Sequence, residues 1–240
     1  MAKHLGWFGH RNLGDDEMHR LLERHLGDTD TFGGGTLITP GSEFYCQITK
    51  DMIGISLGVA ESWNGEGIQA LGRLRKIYVR DFYSARRLAE FGLDAVVSAD
   101  LWFLNEPPKP QERTKRVANL ITLTASPRPE LQDKVVATIK RCRDSGFEFF
   151  AMSPIEDKEL TPEATLFEEG GELLNYLAQA KQAIVTRLHA YVAAVIAGVP
   201  EITYIPYDKK LDDFTERMKD CDLKTTRELL LRHVDDIKKL

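Results

Sequence analysis

Hydrophobic and polar positions alternate along this chain with two different periods. Short β-branched and aromatic runs give way repeatedly to longer segments with one apolar face, the pattern of an α/β fold with mostly parallel sheets. Strands are expected at Lys3–Phe8, ahead of a Gly33–Gly35 turn, and at Met52–Leu57, Ile77–Val79 and Ala95–Val97. A helix is expected at Asp15–His25, where Asp15, Asp16 and Glu17 suit the positive end of a helix dipole. Asn105–Thr114 contains Pro107, Pro108 and Pro110. Those prolines cannot continue a helix or central strand and stiffen the segment, so it reads as a linker. Beyond it the pattern gives a strand at Val117–Thr124, a helix at Pro129–Ser145, a strand at Phe147–Met152 and a helix at Glu172–Ala180. Thr225–Glu228 has capping-box spacing, and Leu229, Leu230, Val234 and Ile237 mark one side of a terminal helix.

The most informative stretch is Ala183–Pro200. A β-branched run ends in Thr186-Arg187-Leu188-His189, an apolar segment of helical length follows, and Gly198 stops it before a strand-like run from Ile202. Ala190–Ala197 holds nothing more polar than Tyr191, so the helix is expected to be buried on nearly all sides. Arg187 and His189 then stand at a strand-to-helix corner, beside helix amides that lack intrahelical acceptors. Such a corner suits a phosphate or carboxylate. The plainer alternative, in which Arg187 caps a carbonyl and His189 is a satisfied core histidine, stays open at this level.

Four stretches in order resemble the polysaccharide pyruvyl transferase family. They are Gly9-His-Arg-Asn12-Leu-Gly14-Asp15-Asp16, the triple glycine Gly33–Gly35, Val79-Arg80-Asp81-Phe-Tyr-Ser84 with Asp100 further on, and Arg187-Leu188-His189-Ala190 followed by Gly198-Val-Pro200. The resemblance implies a fold of two Rossmann-like halves, GT-B-like, with an acceptor half at residues 1–106, a donor half at 107–220 and a C-terminal helix at 221–240. It also implies transfer of a pyruvyl group from phosphoenolpyruvate to hydroxyls of a saccharide, leaving a cyclic ketal. Only a short segment separates Met18 from Gly33, where the family usually places further β-α units, so the acceptor half looks trimmed.

On this resemblance His189 and Asp15 are the catalytic candidates. Arg187, the Leu188 amide, Arg128 and Lys210 are expected to bind the donor, and Asn12, Gly14, Gly34, Gly35 and Arg80 to line the acceptor side of the cleft. A strongly anionic donor needs fixed positive groups, and a group titrating near neutrality suits proton transfer to its methylene carbon. Each residue also has a structural reading. Arg128 fits a solvated turn, Lys210 a solvated pair with Lys209, and Asn12 and the glycines a tight turn. For Arg80 and Asp81 an internal ion pair or helix cap is the favoured reading. No metal and no cofactor beyond phosphoenolpyruvate as donor substrate is expected. A nucleotide-sugar glycosyltransferase of GT-B type, or a non-catalytic descendant of the family, are the competing functions.

Composition narrows the classes further. The 240 residues are 42% hydrophobic and 29% charged, with a net charge of −5 and basic residues scattered along the chain. That gives no basic groove for nucleic acid. No apolar run reaches the length of a membrane span, and the first residues lack a signal-peptide pattern. Cys46, Cys142 and Cys221 are odd in number and far apart, and no zinc spacing occurs. A cytoplasmic enzyme with small-molecule donor and saccharide acceptor is the expectation. Its oligomeric state is left open.

Overall fold

Two parallel sheets of five strands each organise the chain in the computed structural model, which describes residues 2–121, 129–205 and 222–240. The first sheet runs β1 (His4–Leu5), β2 (Thr31–Ile38), β3 (Ile53–Val59), β4 (Lys76–Val79) and β5 (Val96–Val97), ordered in space as in sequence. Its connections include helices α1 (Leu13–Leu26), α2 (Ile68–Leu71) and α3 (Phe82–Ala89). The second sheet is formed by β6 (Lys115–Asn119), β7 (Glu148–Ala151), β8 (Thr165–Leu166), β9 (Ala180–Val185) and β10 (Glu201–Tyr204). Helices α4 (Pro129–Asp144), α5 (Gly170–Leu177) and α6 (Leu188–Ile196) connect them, and α7 (Leu223–Lys238) closes the described chain.

The chain divides into two units. One holds Met1–His10, Asp15–Leu104 and the C-terminal stretch with α7, and the other holds Arg11–Gly14 with Asn105–Tyr207. In the first unit Phe32, Ile38, Leu57, Val59, Trp63, Leu71 and Leu88 form an apolar core. Helix α7 buries Leu230, Val234 and Ile237 and packs against a 3₁₀ turn at Leu101–Leu104. In the second unit Ala118, Leu120, Val135, Ile139, Phe149 and Ile184 form a separate core.

Strand order distinguishes the sheets. The second is ordered β10-β9-β6-β7-β8, so the order reverses between β6 and β9. Ligands of open parallel sheets bind outside the carboxyl ends of strands at such a reversal. The first sheet, ordered sequentially, has none.

Several expected boundaries move. The first strand stops at Leu5, and a Cβ at Gly6 would collide with the Phe8 ring and the Gly33 carbonyl. The triple glycine does not end its strand. It lies inside β2, where Gly34 and Gly35 have φ of +77° and +137° and the pairing with β3 shifts between Gly35 and Ile38. The pairing is in step from Gly33↔Ile55 to Gly35↔Leu57, so the extra residue falls after the glycines, whose positive φ values only glycine adopts readily. Across the sheet Ser56 has φ +51°, an unusual value for a residue with a side chain, and its Oγ accepts the Leu101 amide at 3.2 Å. Helix α1 begins two residues before Asp15, at Leu13. The strand expected at Val117–Thr124 ends at Asn119, and residues 122–124 lie outside the described residues. The terminal helix is capped by Asp222, which accepts the Thr225 amide at 2.9 Å, so the box expected at Thr225 lies within the helix.

Candidate functional site

The reversal point of the second sheet places the carboxyl ends of β6 and β9 side by side, with Asn119 paired to Val185. Thr186 and Arg187 follow β9 and lead into α6, of which Leu188, Ala190–Ala194 and Ile196 are buried. Arg187 is the N-cap residue with extended backbone (φ −76°, ψ 139°) and makes no side-chain capping bond. Helix α6 therefore starts at the corner expected from sequence, and it is buried as its apolar composition dictates.

A buried polar network fixes this corner. Asp157, which follows β7, has its side chain wholly buried. One of its oxygens accepts from Asn119 Nδ2 at 2.9 Å, the Met152 amide at 2.7 Å and the Ser153 amide at 3.2 Å. The other receives Nε of Arg187 at 2.6 Å. Asn119 Nδ2 also donates to the Phe150 carbonyl at 3.0 Å. The Thr186 amide donates to the Asn119 carbonyl at 3.0 Å, and Thr186 Oγ1 accepts the Ile121 amide at 2.9 Å. The ends of β6, β7 and β9 are thus tied together by side chains from each connection.

Arg187 carries a second partner, since Nη2 pairs with Glu156. Burial works against its charge, but Asp157 and Glu156 more than offset that and hold the guanidinium above the ordinary arginine range. It is a permanent cation serving as a brace, with two carboxylates already upon it. Sequence reasoning missed Asn119, Glu156 and Asp157. A polar Asn interrupting the apolar run Val117–Ile121 was the available signal, whereas nothing local marks Asp157.

The N-terminal loop meets this corner. The Leu13 amide donates to the Met152 carbonyl at 2.8 Å, anchoring Arg11–Gly14 at the end of β7. Asn12 closes an Asx turn, its Oδ1 accepting the Gly14 amide at 3.0 Å. Gly14 is packed against the half-buried His189 ring so closely that a Cβ there would overlap Nδ1. Two motifs separated by most of the chain therefore meet, bringing Asn12, Gly14, Arg187, Leu188 and His189 into one neighbourhood.

The remaining candidates lie elsewhere. Arg128 and Lys210 are outside the described residues. In the first unit Asp15 is half-buried beside Gly35, whose missing Cβ would sit 3.4 Å from Asp15 Oδ1, while Gly34 faces the Phe8 ring and Met18. Arg80 is buried and pairs with Asp81 at 3.6 Å and Asp100 at 3.5 Å, and its Nη2 donates to Thr36 Oγ1 at 2.7 Å. Gly58 leaves room for that guanidinium, since a Cβ would come within 2.9 Å of it. Asp81 caps α3 by accepting the Ser84 amide at 2.6 Å. These two residues form the internal ion pair and cap favoured above. Among the described residues no group of three His, Cys, Asp or Glu is placed to hold a metal ion, and no helix is long and apolar enough to cross a membrane.

A family model described as polysaccharide pyruvyl transferase matches residues 64–209, more than half of the chain, and the chain belongs to that family. The matched span includes Arg80, Asn119, Asp157 and the Arg187–His189 corner. The N-terminal motifs precede it, and Lys210 falls just beyond it. No curated protein and no solved structure matches the chain.

Proposed function

We propose that the chain transfers the pyruvyl group of phosphoenolpyruvate to two hydroxyls of a saccharide, forming a cyclic ketal and releasing inorganic phosphate. The family membership makes it a member of a transferase family. The observation that carries the residue assignment is the seating of His189 against Gly14 at the start of α6, where strand order reverses.

In this reading His189 contacts the donor phosphate or protonates the methylene carbon. That proton makes C2 cationic, one acceptor hydroxyl adds there, phosphate departs with its bonding electron pair, and the second hydroxyl closes the ketal. Both hydroxyl protons go to solvent or to a base, for which Asp15 is the candidate. The Leu188 amide and, outside the described residues, Arg128 and Lys210 hold the donor anion. Arg187 keeps the corner in register, and Asn12 and Gly14 shape the space around His189. The chemistry needs a trianionic donor beside a fixed positive field, for which the start of α6 is suited.

The test is thermal unfolding with millimolar phosphoenolpyruvate, set beside nucleotides and nucleotide sugars. A ligand at about a hundred times its dissociation constant adds about 2.7 kcal/mol. A shift with phosphoenolpyruvate that His189→Ala abolishes is expected. A shift with a nucleotide sugar alone would make the chain a glycosyltransferase. No shift with any of them would favour a non-catalytic role.

A further inference from the structure

Arg187 is held by two carboxylates that differ in what they can do. Asp157 has no exposed side-chain surface and is tied by Asn119 and two backbone amides besides its 2.6 Å bond to Nε. It cannot leave without stranding four donors. Glu156 sits on the same turn with a side chain 52% exposed, and it reaches Nη2 from the solvent side. One carboxylate already balances the guanidinium. The second makes the cluster net negative at the corner where the function proposed above requires an anion.

The two ends of this pair differ: the Arg187 side chain is 11% exposed and fixed by Asp157, whereas the Glu156 end lies in water that can solvate its carboxylate when it departs. An Arg fork offers its edge equally well to a carboxylate or a phosphate. We infer that Glu156 is an exchangeable counter-ion: its carboxylate occupies the Nη2 edge of Arg187 in the empty protein and yields that edge to an anionic group of the donor. Asp157 is the fixed partner, holding Nε throughout, so Arg187 changes ligands without changing place. This rests on the donor reading for the identity of the anion, but the exchange itself needs only a phosphate or carboxylate.

The experiment is a calorimetric titration at constant ionic strength, first with inorganic phosphate and then with phosphoenolpyruvate. The proteins are the wild-type chain, Glu156→Gln, Glu156→Asp and, as a distant charge control, Glu112→Gln. Glu156→Gln is expected to bind both anions about fivefold more tightly, which corresponds to about 1 kcal/mol. Glu156→Asp keeps the charge but falls short of Nη2, so it should also tighten binding. Glu112→Gln should match wild type. Equal or weaker binding by Glu156→Gln overturns the exchange, as does failure of all four proteins to bind phosphate. A gain in Glu156→Gln with none in Glu156→Asp reduces Glu156 to a source of negative potential and also overturns it. If Glu156→Gln tightens inorganic phosphate while phosphoenolpyruvate binds no better than phosphate, the exchange stands and the pyruvyl-donor reading fails.

Discussion

Gly14 has no side chain where His189 has its ring: a methyl group at that position would overlap the imidazole Nδ1. The glycine is therefore a steric requirement of the histidine, and the N-terminal motif and the α6 corner are one structural feature. Gly14→Ala should push the ring aside or displace the start of α1. A misplacement of about 1 Å near reacting atoms costs about a hundredfold in rate, and forced overpacking costs about 1–3 kcal/mol of stability. On the function proposed above, ketal-forming turnover should fall accordingly. Gly14→Ala/His189→Ala should be no less active than His189→Ala, and more stable than Gly14→Ala, because removing the ring removes the clash. Independent, additive losses of stability would contradict the packing relationship.

Asp157 should matter more to folding than any other carboxylate of the second unit described above. Its removal leaves Arg187 partly desolvated with only the exposed Glu156, and leaves Asn119 and two amides without their acceptor. Breaking one side of a buried pair costs about 3–5 kcal/mol, whereas replacing both partners by apolar residues of similar volume costs much less. Urea denaturation should show Asp157→Leu and Arg187→Met each strongly destabilised, and Asp157→Leu/Arg187→Met less so than their sum. The double variant should still fall short of wild type, because Asn119 and the two amides lack an acceptor. A double variant as unstable as the sum of its singles would mean that the pair is not coupled.

The sequence carried the parts of this arrangement that depend on local pattern. Apolar composition dictates that α6 is buried, Asp81 followed by Ser84 three residues on dictates the α3 cap, and β-branched runs give the strands at β3, β4 and β9. What it could not carry depends on tertiary partners. Asp157 stands in a Ser-Pro-Ile-Glu-Asp segment with the composition of any surface turn. Only the convergence of three strand ends makes it the centre of a network. The triple glycine looked like a turn because glycine usually ends a strand, but here it is paired within one, and the reason lies across the sheet.

That reason supplies a prediction. Gly33 pairs with Ile55, and a Cβ on Gly33 would run into the Ile55 carbonyl, which is backbone and cannot step aside. At Gly35 an added Cβ meets only ordinary contacts, Asp15 at 3.4 Å and Met18 at 3.9 Å, so the +137° φ is what opposes a side chain. Strained φ alone costs about 1–3 kcal/mol. Gly33→Ala must also disrupt the β2–β3 pairing. Melting temperatures should therefore fall in the order wild type, Gly35→Ala, Gly33→Ala. A Gly33→Ala protein as stable as Gly35→Ala would show that the sheet tolerates the displacement.

Stability should depend on pH through histidines held neutral by their surroundings. His233, on α7, packs against Tyr78 with ring centroids 5.0 Å apart and the planes tilted by 44°, and shares a 2.8 Å hydrogen bond with Ser98 Oγ. Burial lowers its pKa from the ordinary 6.5, with Lys76 and Arg232 adding to the effect and Asp236 opposing it. Burial is also the largest cause of the lowering at His4 and His25. A histidine whose folded pKa lies below its unfolded value binds more protons when unfolded, so its contribution is complete above the unfolded pKa and is lost as pH falls towards the folded one. The urea midpoint should therefore be level between about pH 7 and 8, below the range in which the buried Cys142 thiol begins to favour the unfolded chain, and decline as pH drops through about 6.5. Asp222 and Glu163 have lowered values too, but starting from 3.8 and 4.5 they act in a more acidic range and leave this window to the histidines. His233→Gln should shallow the slope between pH 6.5 and 5.5, because an amide can accept or donate to Ser98 without titrating. A midpoint that rises with acidification in that window would show that these histidines gain protons more readily in the folded chain, and would reverse the assignment.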